Sequence, residues 1–224
     1  MELDKREDIS YALHSINDGM KVAVGGFGGA GFPESLVSAL EKTGKKDLVI
    51  VSNNAARFEG LITSGAVSKI ICSFPFGGAS STLRAAIVDA GVELQLLPQG
   101  TFAECLRSAG SGLGGVLTRV GIGTAFAEGR QIINVNGTDF LLEPPLAVDV
   151  ALIHAEQADR WGNLSMRGTA RNFNVAMAMA AAKTIAEANE VLEIGQISPD
   201  RCDVPGIFVD SVVGPRSTLE SEDL

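Results

Sequence analysis

A short apolar run at residues 21–24 leads directly into a cluster of glycines. The cluster spans seven residues, five of them glycine: Gly25, Gly26, Phe27, Gly28, Gly29, Ala30 and Gly31. A helical pattern follows from Pro33 to Gly44, with its apolar positions on one face. This order of strand, glycine loop and helix exposes backbone N–H groups near a helix start, where they can bind an anion or a developing oxyanion. A tight turn alone needs about two glycines, so the cluster indicates that the backbone itself contacts a ligand.

Residues 26–31 also match the pattern G-x-G-x-x-G, which is typical of dinucleotide-binding loops. In that fold an acidic residue at the end of the second strand binds the ribose hydroxyls. Here Val51 is followed by the uncharged residues Ser52, Asn53 and Asn54. A nicotinamide-dependent oxidoreductase therefore stays an alternative, and the missing acid argues against it.

Strand and helix patterns alternate along most of the chain. Strands are predicted at residues 21–24, 47–51, 69–73, 92–97, 148–153 and 207–213, and helices at 8–16, 33–44, 83–90 and 175–182. Residues 131–142 differ, because Asn136-Gly137 between two apolar runs predicts a hairpin on a type I′ turn. The whole pattern predicts an α/β fold, a three-layer sandwich with a mixed, largely parallel sheet.

The sequence predicts one folded unit followed by a tail. No linker or repeat divides residues 1–213, so we expect a single domain over this range. Residues 214–224 are polar and mostly acidic after Gly214-Pro215. We expect this tail to be disordered, since it offers little apolar surface to bury.

The composition argues against several kinds of partner. Eighteen Lys and Arg against 27 Asp and Glu give a net charge of -9, which repels nucleic-acid phosphates and anionic membrane surfaces. Cys72, Cys105 and Cys202 are far apart, and with only two histidines in the chain neither a disulfide framework nor a metal site is indicated. The acidic start and the lack of a long apolar run predict no signal peptide and no membrane span. We therefore expect a cytoplasmic location, with no nucleic acid and no membrane as partner.

A longer pattern surrounds the glycine cluster. It consists of Asp18-Gly19, an apolar run, Gly25-Gly26-Phe27, Gly31 and Pro33. This pattern resembles the first signature of the family I CoA-transferases, in the A (alpha) subunit of the two-subunit 3-oxoacid type. The resemblance extends over residues 8–213, through segments 52–55, 73–75, 98–100, 121–124, 127–129, 158–163, 169–174 and 205–207.

The resemblance implies an enzyme that moves CoA between carboxylic acids. Its substrates would be succinyl-CoA and a 3-oxo acid such as acetoacetate or 3-oxoadipate, with the CoA thioester as substrate and no permanently bound cofactor. The reaction would pass through a glutamyl-CoA thioester on a B subunit, on the glutamate of a Ser-Glu-Asn-Gly motif. This chain contains no such motif, so the resemblance implies half of an enzyme, expected as an α2β2 heterotetramer. An acyl-CoA hydrolase of the same family stays an alternative, because water can replace the acceptor acid.

The resemblance also points to particular side chains. Gln99, in Pro98-Gln99-Gly100, would donate a hydrogen bond to the oxyanion, and Asn53 and Asn54 lie at the carboxyl edge where open parallel sheets bind ligands. Taken without the resemblance, all three amides are better explained as turn and cap residues. Arg119 is a candidate for pairing a substrate carboxylate, although most arginines are solvated or in structural ion pairs. Residues 171–174 are expected to brace the loop before the Ala-rich helix.

Overall fold

The computed structural model describes residues 4–76 and 81–215. Its strands are β1 (Lys21–Val24), β2 (Leu48–Val51), β3 (Val67–Cys72), β4 (Glu93–Leu96), β5 (Val116–Thr118), β6 (Ile132–Val135), β7 (Thr138–Glu143), β8 (Val148–Asp159), β9 (Leu164–Ser165), β10 (Ala181–Leu192) and β11 (Ser211–Val213). Its α-helices are α1 (Ile9–Leu13), α2 (Glu34–Glu41), α3 (Glu59–Thr63), α4 (Ser81–Asp89), α5 (Gln99–Gly110) and α6 (Asn174–Ala180). The tail predicted to be disordered lies outside the described residues from 216 onwards.

One large sheet forms the centre of the fold. Its strands follow the order β11-β10-β8-β1-β2-β3-β4, and every pair along this path is parallel. β9 adds an antiparallel partner to β8. Strands such as β1 and β2 are continuous apolar runs because helices cover both faces of the sheet. The predicted mixed, largely parallel sheet is confirmed.

The helices divide between the two faces of the sheet. One apolar core contains Leu13 of α1, Leu36 of α2, Leu61 of α3 and Leu83 of α4. The other core packs Phe102 of α5 and residues of α6 against the opposite face. These three layers confirm the predicted α/β sandwich. None of the helices within the described ranges combines the length and apolar character needed to cross a bilayer.

A second, smaller sheet has the order β5-β7-β6 and is antiparallel. β6 and β7 form the predicted hairpin, with Asn136 at φ 51° and Gly137 at φ 79°. Positive φ at both central residues is the signature of the type I′ turn. The sequence does not predict that this hairpin and β5 form a separate sheet.

The C-terminal half contains the main departures from the predicted elements. Residues 181–192 form β10, whereas the sequence predicts a helix over 175–182 and no strand between this helix and residue 207. α6 ends at Ala180 and β10 begins at the next residue. Alanines favour no strand by themselves, and it is ten registered pairs with β8 that hold them extended. The predicted strand at 207–213 is also too long, since β11 spans only residues 211–213 and a 3₁₀ turn occupies 206–208.

A buried carboxylate organises the turn between β8 and β9. Asp159 is 2% exposed and accepts hydrogen bonds from the backbone N–H groups of Trp161 and Asn163 and from Asn163 Nδ2, at 2.8 to 3.0 Å. Asn163 Oδ1 accepts in turn from Gly206 N–H at 2.9 Å. The Asp-x-x-x-Asn spacing therefore links the end of β8 to the segment that precedes β11.

We expect Asp159→Ala to lower the free energy of unfolding by about 2 to 4 kcal/mol, because it leaves three part-buried N–H donors without their acceptor. Urea unfolding of the purified chain measures this loss. Asp89→Ala, at an exposed site on α4, is the matched control and should change stability by no more than about 0.5 kcal/mol. Equal effects of the two substitutions would show that the Asp159 network contributes nothing.

Candidate active site

The glycine cluster folds into a tight reverse turn at the carboxyl end of β1. Phe27 N–H donates to Ala30 O, and Ala30 N–H donates to Phe27 O, both at 3.0 Å. Gly28 and Gly29 form the tip at φ 58° and 99°, backbone conformations that other residues rarely adopt. No acceptor for their two N–H groups is present among the described residues. The turn therefore offers two adjacent backbone donors, and Gly28 is exposed to solvent.

The start of α2, next to this turn, is already occupied by a carboxylate. Glu187 Oε2, from β10, accepts the backbone N–H of Leu36 at 3.0 Å. A phosphate placed there would meet this negative charge instead of free amides. Free donors are thus found at the tip of the turn and not at the helix start, where the sequence pattern places them.

The end of β2 also differs from the corresponding strand end of a dinucleotide-binding site. Ser52 donates its hydroxyl to Val24 O at 2.9 Å and so ties β2 to β1. Residues 52–54, all described, carry no carboxylate for ribose hydroxyls. The glycine pattern therefore lacks both the free helix start and the acidic partner of the nicotinamide alternative.

Gln99 and Asn53 are brought together, although the strands that precede them, β4 and β2, are not the neighbours that the sequence suggests, because β3 lies between them. Gln99 is the first residue of α5, and its Nε2 donates to Asn53 Oδ1 at 2.8 Å. Asn53 is 3% exposed, and its backbone O accepts from Ser73 and Phe74. The second Nε2 hydrogen of Gln99 has no acceptor among the described residues. The pair therefore presents one oriented amide donor.

Two buried hydroxyls lie close to this pair in the chain and have no partner among the described residues. They are Ser73 Oγ, in the residue whose N–H donates to Asn53, and Thr101 Oγ1, two residues after Gln99. Buried hydroxyls are normally hydrogen-bonded. Sequence reasoning does not identify either of them as part of the site.

Asn54 has a local role. Its Oδ1 accepts the backbone N–H of Ala56 at 3.1 Å, an Asx turn of the kind that the sequence offers as an alternative. No hydrogen bond joins the Asn54 side chain to Asn53 or Gln99 within the described chain. Its predicted contact with a ligand stays a prediction.

Aromatic side chains connect the glycine turn to α5. The Phe27 and Phe173 rings are 6.4 Å apart, and Phe173 meets Phe102 edge to face at 5.3 Å. Phe102 lies one turn after Gln99 on α5, while Phe27 is 47% exposed. The turn and the Gln99–Asn53 pair thus flank one apolar cluster with an open side.

Residues 171–174 brace the glycine turn, whereas the sequence predicts only that they brace the loop before α6. Asn172 Nδ2 donates to Ala30 O, and Asn174 Nδ2 donates to Gly31 O, both at 2.9 Å. Residues so far apart in the chain carry no local signal of this contact. The only hint is the presence of glycine at positions where a close approach excludes a side chain.

Arg119 lies elsewhere. It is exposed after β5 and lines a surface cleft with residues of the small sheet and its loops: Ile122, Gly137, Thr138 and Asp139. The residues lining this cleft include none from the glycine turn, β2 or α5. The described chain does not bring Arg119 together with the other candidates, and its predicted role stays a prediction.

Comparison with known proteins identifies the family. The family model described as Coenzyme A transferase matches residues 6–214. The chain is 45% identical over 217 residues to the A subunit of the 3-oxoadipate CoA-transferase of Acinetobacter baylyi, covering 95% of each chain. It is 38% identical over 209 residues to the A subunit of the succinyl-CoA:3-ketoacid coenzyme A transferase of Helicobacter pylori, covering 92% of this chain and 89% of that one.

The fold agrees with a solved structure. The glutaconate coenzyme A-transferase of Acidaminococcus fermentans superposes with a TM-score of 0.84 at 22% identity, over 93% of this chain and 75% of that one. At this identity the match supports the architecture alone. Together with the sequence relatives, it shows that the chain belongs to the coenzyme A transferase family, among the A subunits of the 3-oxoacid and succinyl-CoA group.

Proposed function

We propose that this chain is the A subunit of an enzyme that transfers CoA from succinyl-CoA to a 3-oxo acid, through a glutamyl-CoA thioester on a B subunit. The observation that carries the proposal is the pair of free N–H groups of Gly28 and Gly29 on a braced turn. Family membership and the names of the relatives support the substrates.

The chemistry demands donors of this kind. A carboxylate of the partner adds to the thioester carbonyl of succinyl-CoA, and the C–S bond then breaks, so that CoA leaves as thiolate and a mixed anhydride remains. The thiolate then attacks the glutamyl carbonyl, so that glutamyl-CoA forms and succinate leaves. The acceptor acid takes the CoA by the same two steps in reverse order. Each addition places negative charge on a carbonyl oxygen, and pre-oriented N–H groups stabilise that charge.

The residues of this chain have distinct roles in the proposal. The N–H groups of Gly28 and Gly29, with the second N–H of Gln99, receive the oxyanion. Asn53 orients Gln99, since it accepts the first Nε2 hydrogen at 2.8 Å. Phe27 forms an apolar wall, which limits the access of water to the acyl intermediates.

The nucleophile comes from a second chain in this proposal. The sequence has no Ser-Glu-Asn-Gly segment, and the relatives are named as A subunits. We assign the glutamate to a B subunit, in an α2β2 complex.

The acceptor acid is proposed to be 3-oxoadipate or acetoacetate. The name of the Acinetobacter relative specifies 3-oxoadipate and so favours the dicarboxylic acid. Recognition of its second carboxylate needs a cation, preferably a bidentate arginine. Arg119 keeps this assignment as a prediction, although its cleft lies on the small sheet.

We expect the purified chain alone to catalyse no transfer from succinyl-CoA to acetoacetate or 3-oxoadipate, because it lacks the nucleophile. Addition of its B subunit should start the reaction, followed by the change in thioester absorbance. Borohydride trapping of the glutamyl-CoA on the B subunit checks the intermediate. Full turnover by the isolated chain would overturn the proposal.

We expect Gly28→Ala to lower the kcat of the complex by about tenfold or more, because a methyl group at the tip obstructs the approach of the substrate to the amides. No atom lies within 4 Å of the new Cβ, so the chain should still fold. Gly91→Ala has a similar φ and equal space, and controls for backbone strain. Equal kcat losses in the two variants would contradict a role for the tip.

Gly31 serves as the contrasting position in the same experiment. A Cβ there would lie 2.6 Å from Ala170 O and 2.6 Å from Asn174 Nδ2, so Gly31→Ala should lower the Tm as well as kcat. Gly28→Ala should lower the Tm no more than Gly91→Ala does. A Gly31 variant as stable as the wild type would contradict the close packing on which this contrast depends.

We expect Gln99→Ala to slow thioester formation on the partner by about 100- to 1000-fold, the usual effect of removing an oxyanion donor. Single-turnover mixing with succinyl-CoA measures this rate. Gln95→Ala, an amide on β4 three residues before Pro98, is the control and should react at close to the wild-type rate. An unchanged rate for Gln99→Ala would leave Gln99 as a structural partner of Asn53.

A further inference from the structure

Asn174 is a fully buried amide that connects the two ends of the glycine cluster. It is 0% exposed, and its Nδ2 donates to Gly31 O at 2.9 Å and to Ala170 O at 2.7 Å. Its Oδ1 accepts the backbone N–H of His154 at 3.3 Å. Both N–H groups and the oxygen of the amide are therefore hydrogen-bonded, as a buried amide requires.

The first glycine of the cluster fits this side chain and not a ligand. A Cβ at Gly25 would lie only 1.7 Å from Asn174 Oδ1, so the amide occupies the space of the missing side chain. At Gly31 a Cβ would come within 2.6 Å of Asn174 Nδ2. One side chain therefore contacts both the entrance and the exit of the turn, while Gly28 at its tip stays open.

A segment this rich in glycine needs such a restraint. Glycine has the largest backbone freedom of any residue, and an unrestrained loop would spread its N–H groups over many orientations. Electrostatic stabilisation of an oxyanion depends on donors that are oriented before the reaction begins. The Phe27–Ala30 bonds close the turn itself, but they do not fix it relative to the sheet.

We propose that Asn174 is a positioning residue that holds the N–H groups of Gly28 and Gly29 in place for the oxyanion. It acts through the backbone of the glycine cluster and touches no substrate. Asn172 assists from the same segment by donating to Ala30 O at 2.9 Å. This inference rests on the proposed function for its kinetic consequence, and on the structure alone for the restraint of the turn.

The test uses Asn174→Asp in the complex with the B subunit. The substitution keeps the shape and the acceptor toward His154, but it turns an oxygen toward the carbonyl groups of Gly31 and Ala170. We expect thioester formation from succinyl-CoA to slow by about 10- to 100-fold per active complex, with KM changed less than about threefold. The loss should shrink at lower pH, because a protonated carboxyl group can donate one hydrogen bond again.

Leu61→Ala is the control for lost stability. Leu61 is fully buried on α3, in the core on the other face of the sheet. This variant should lower the Tm and leave the rate per active complex unchanged. Active complexes are counted from the thioester burst, so that a merely structural role of Asn174 would lower the count and not the rate constant.

Hydrogen exchange separates this inference from the proposed function. Exchange of a peptide covering residues 25–31 should speed up by about tenfold or more in Asn174→Asp and stay unchanged in Leu61→Ala. The exchange measurement does not depend on CoA transfer. If the wild-type complex transferred no CoA, only the proposed function would be overturned. If Asn174→Asp does not assemble, Asn172→Ala replaces it, with a smaller expected change in the same direction. Wild-type exchange and a wild-type rate in the variant used would overturn the inference.

Discussion

Hydrogen bonding along β8 holds the two halves of the chain together. Residues 150–152 pair with β1 on one side, and residues 148–159 pair with β10 on the other. β1 ends at the glycine turn, while α6, which begins with Asn174, leads without a loop into β10. Because β8 fixes the register of both neighbours, it sets the turn beside the segment that restrains it. The distances between the glycine turn and the segment that restrains it depend on this double pairing.

In the proposed reaction, neutral groups of the candidate site stabilise the negative charge of the oxyanion. The oriented donors are backbone N–H groups and an amide, and the Arg57 guanidinium, which lies beside Gly29, is in an ion pair with Glu34. A fixed arginine would stabilise the carboxylates of substrate and product as strongly as the short-lived oxyanion. Neutral donors favour the oxyanion more selectively, because they interact best where charge is concentrated on one oxygen. This suits a reaction in which free carboxylates enter and leave on both sides.

Local patterns in the sequence are sufficient for the first half of the sheet. β1 to β4 and the Asn136-Gly137 hairpin follow from apolar runs and turn residues. Gln99 and Asn53 are both predicted at carboxyl ends of parallel strands, but the sequence does not predict that their side chains meet across the intervening β3. β10 is different, since its alanines become a strand through pairing with β8. The contact of Asn174 with Gly31 joins distant parts of the chain, and periodicity carries no trace of it. Arg119 shows a further limit of prediction from sequence, because residue type alone does not say on which of the two sheets a cationic side chain lies.

The close fit between Gly25 and Asn174 has a consequence for how such a chain can vary. Any side chain at position 25 would collide with the amide, and a smaller residue at 174 would leave a cavity and release Gly31. A substitution at either position alone would therefore destabilise the turn, so the two residues are constrained together although they are far apart in the chain. In a set of diverged sequences they should either stay fixed together or change together, and this covariation would record the packing of the turn independently of the chemistry it supports.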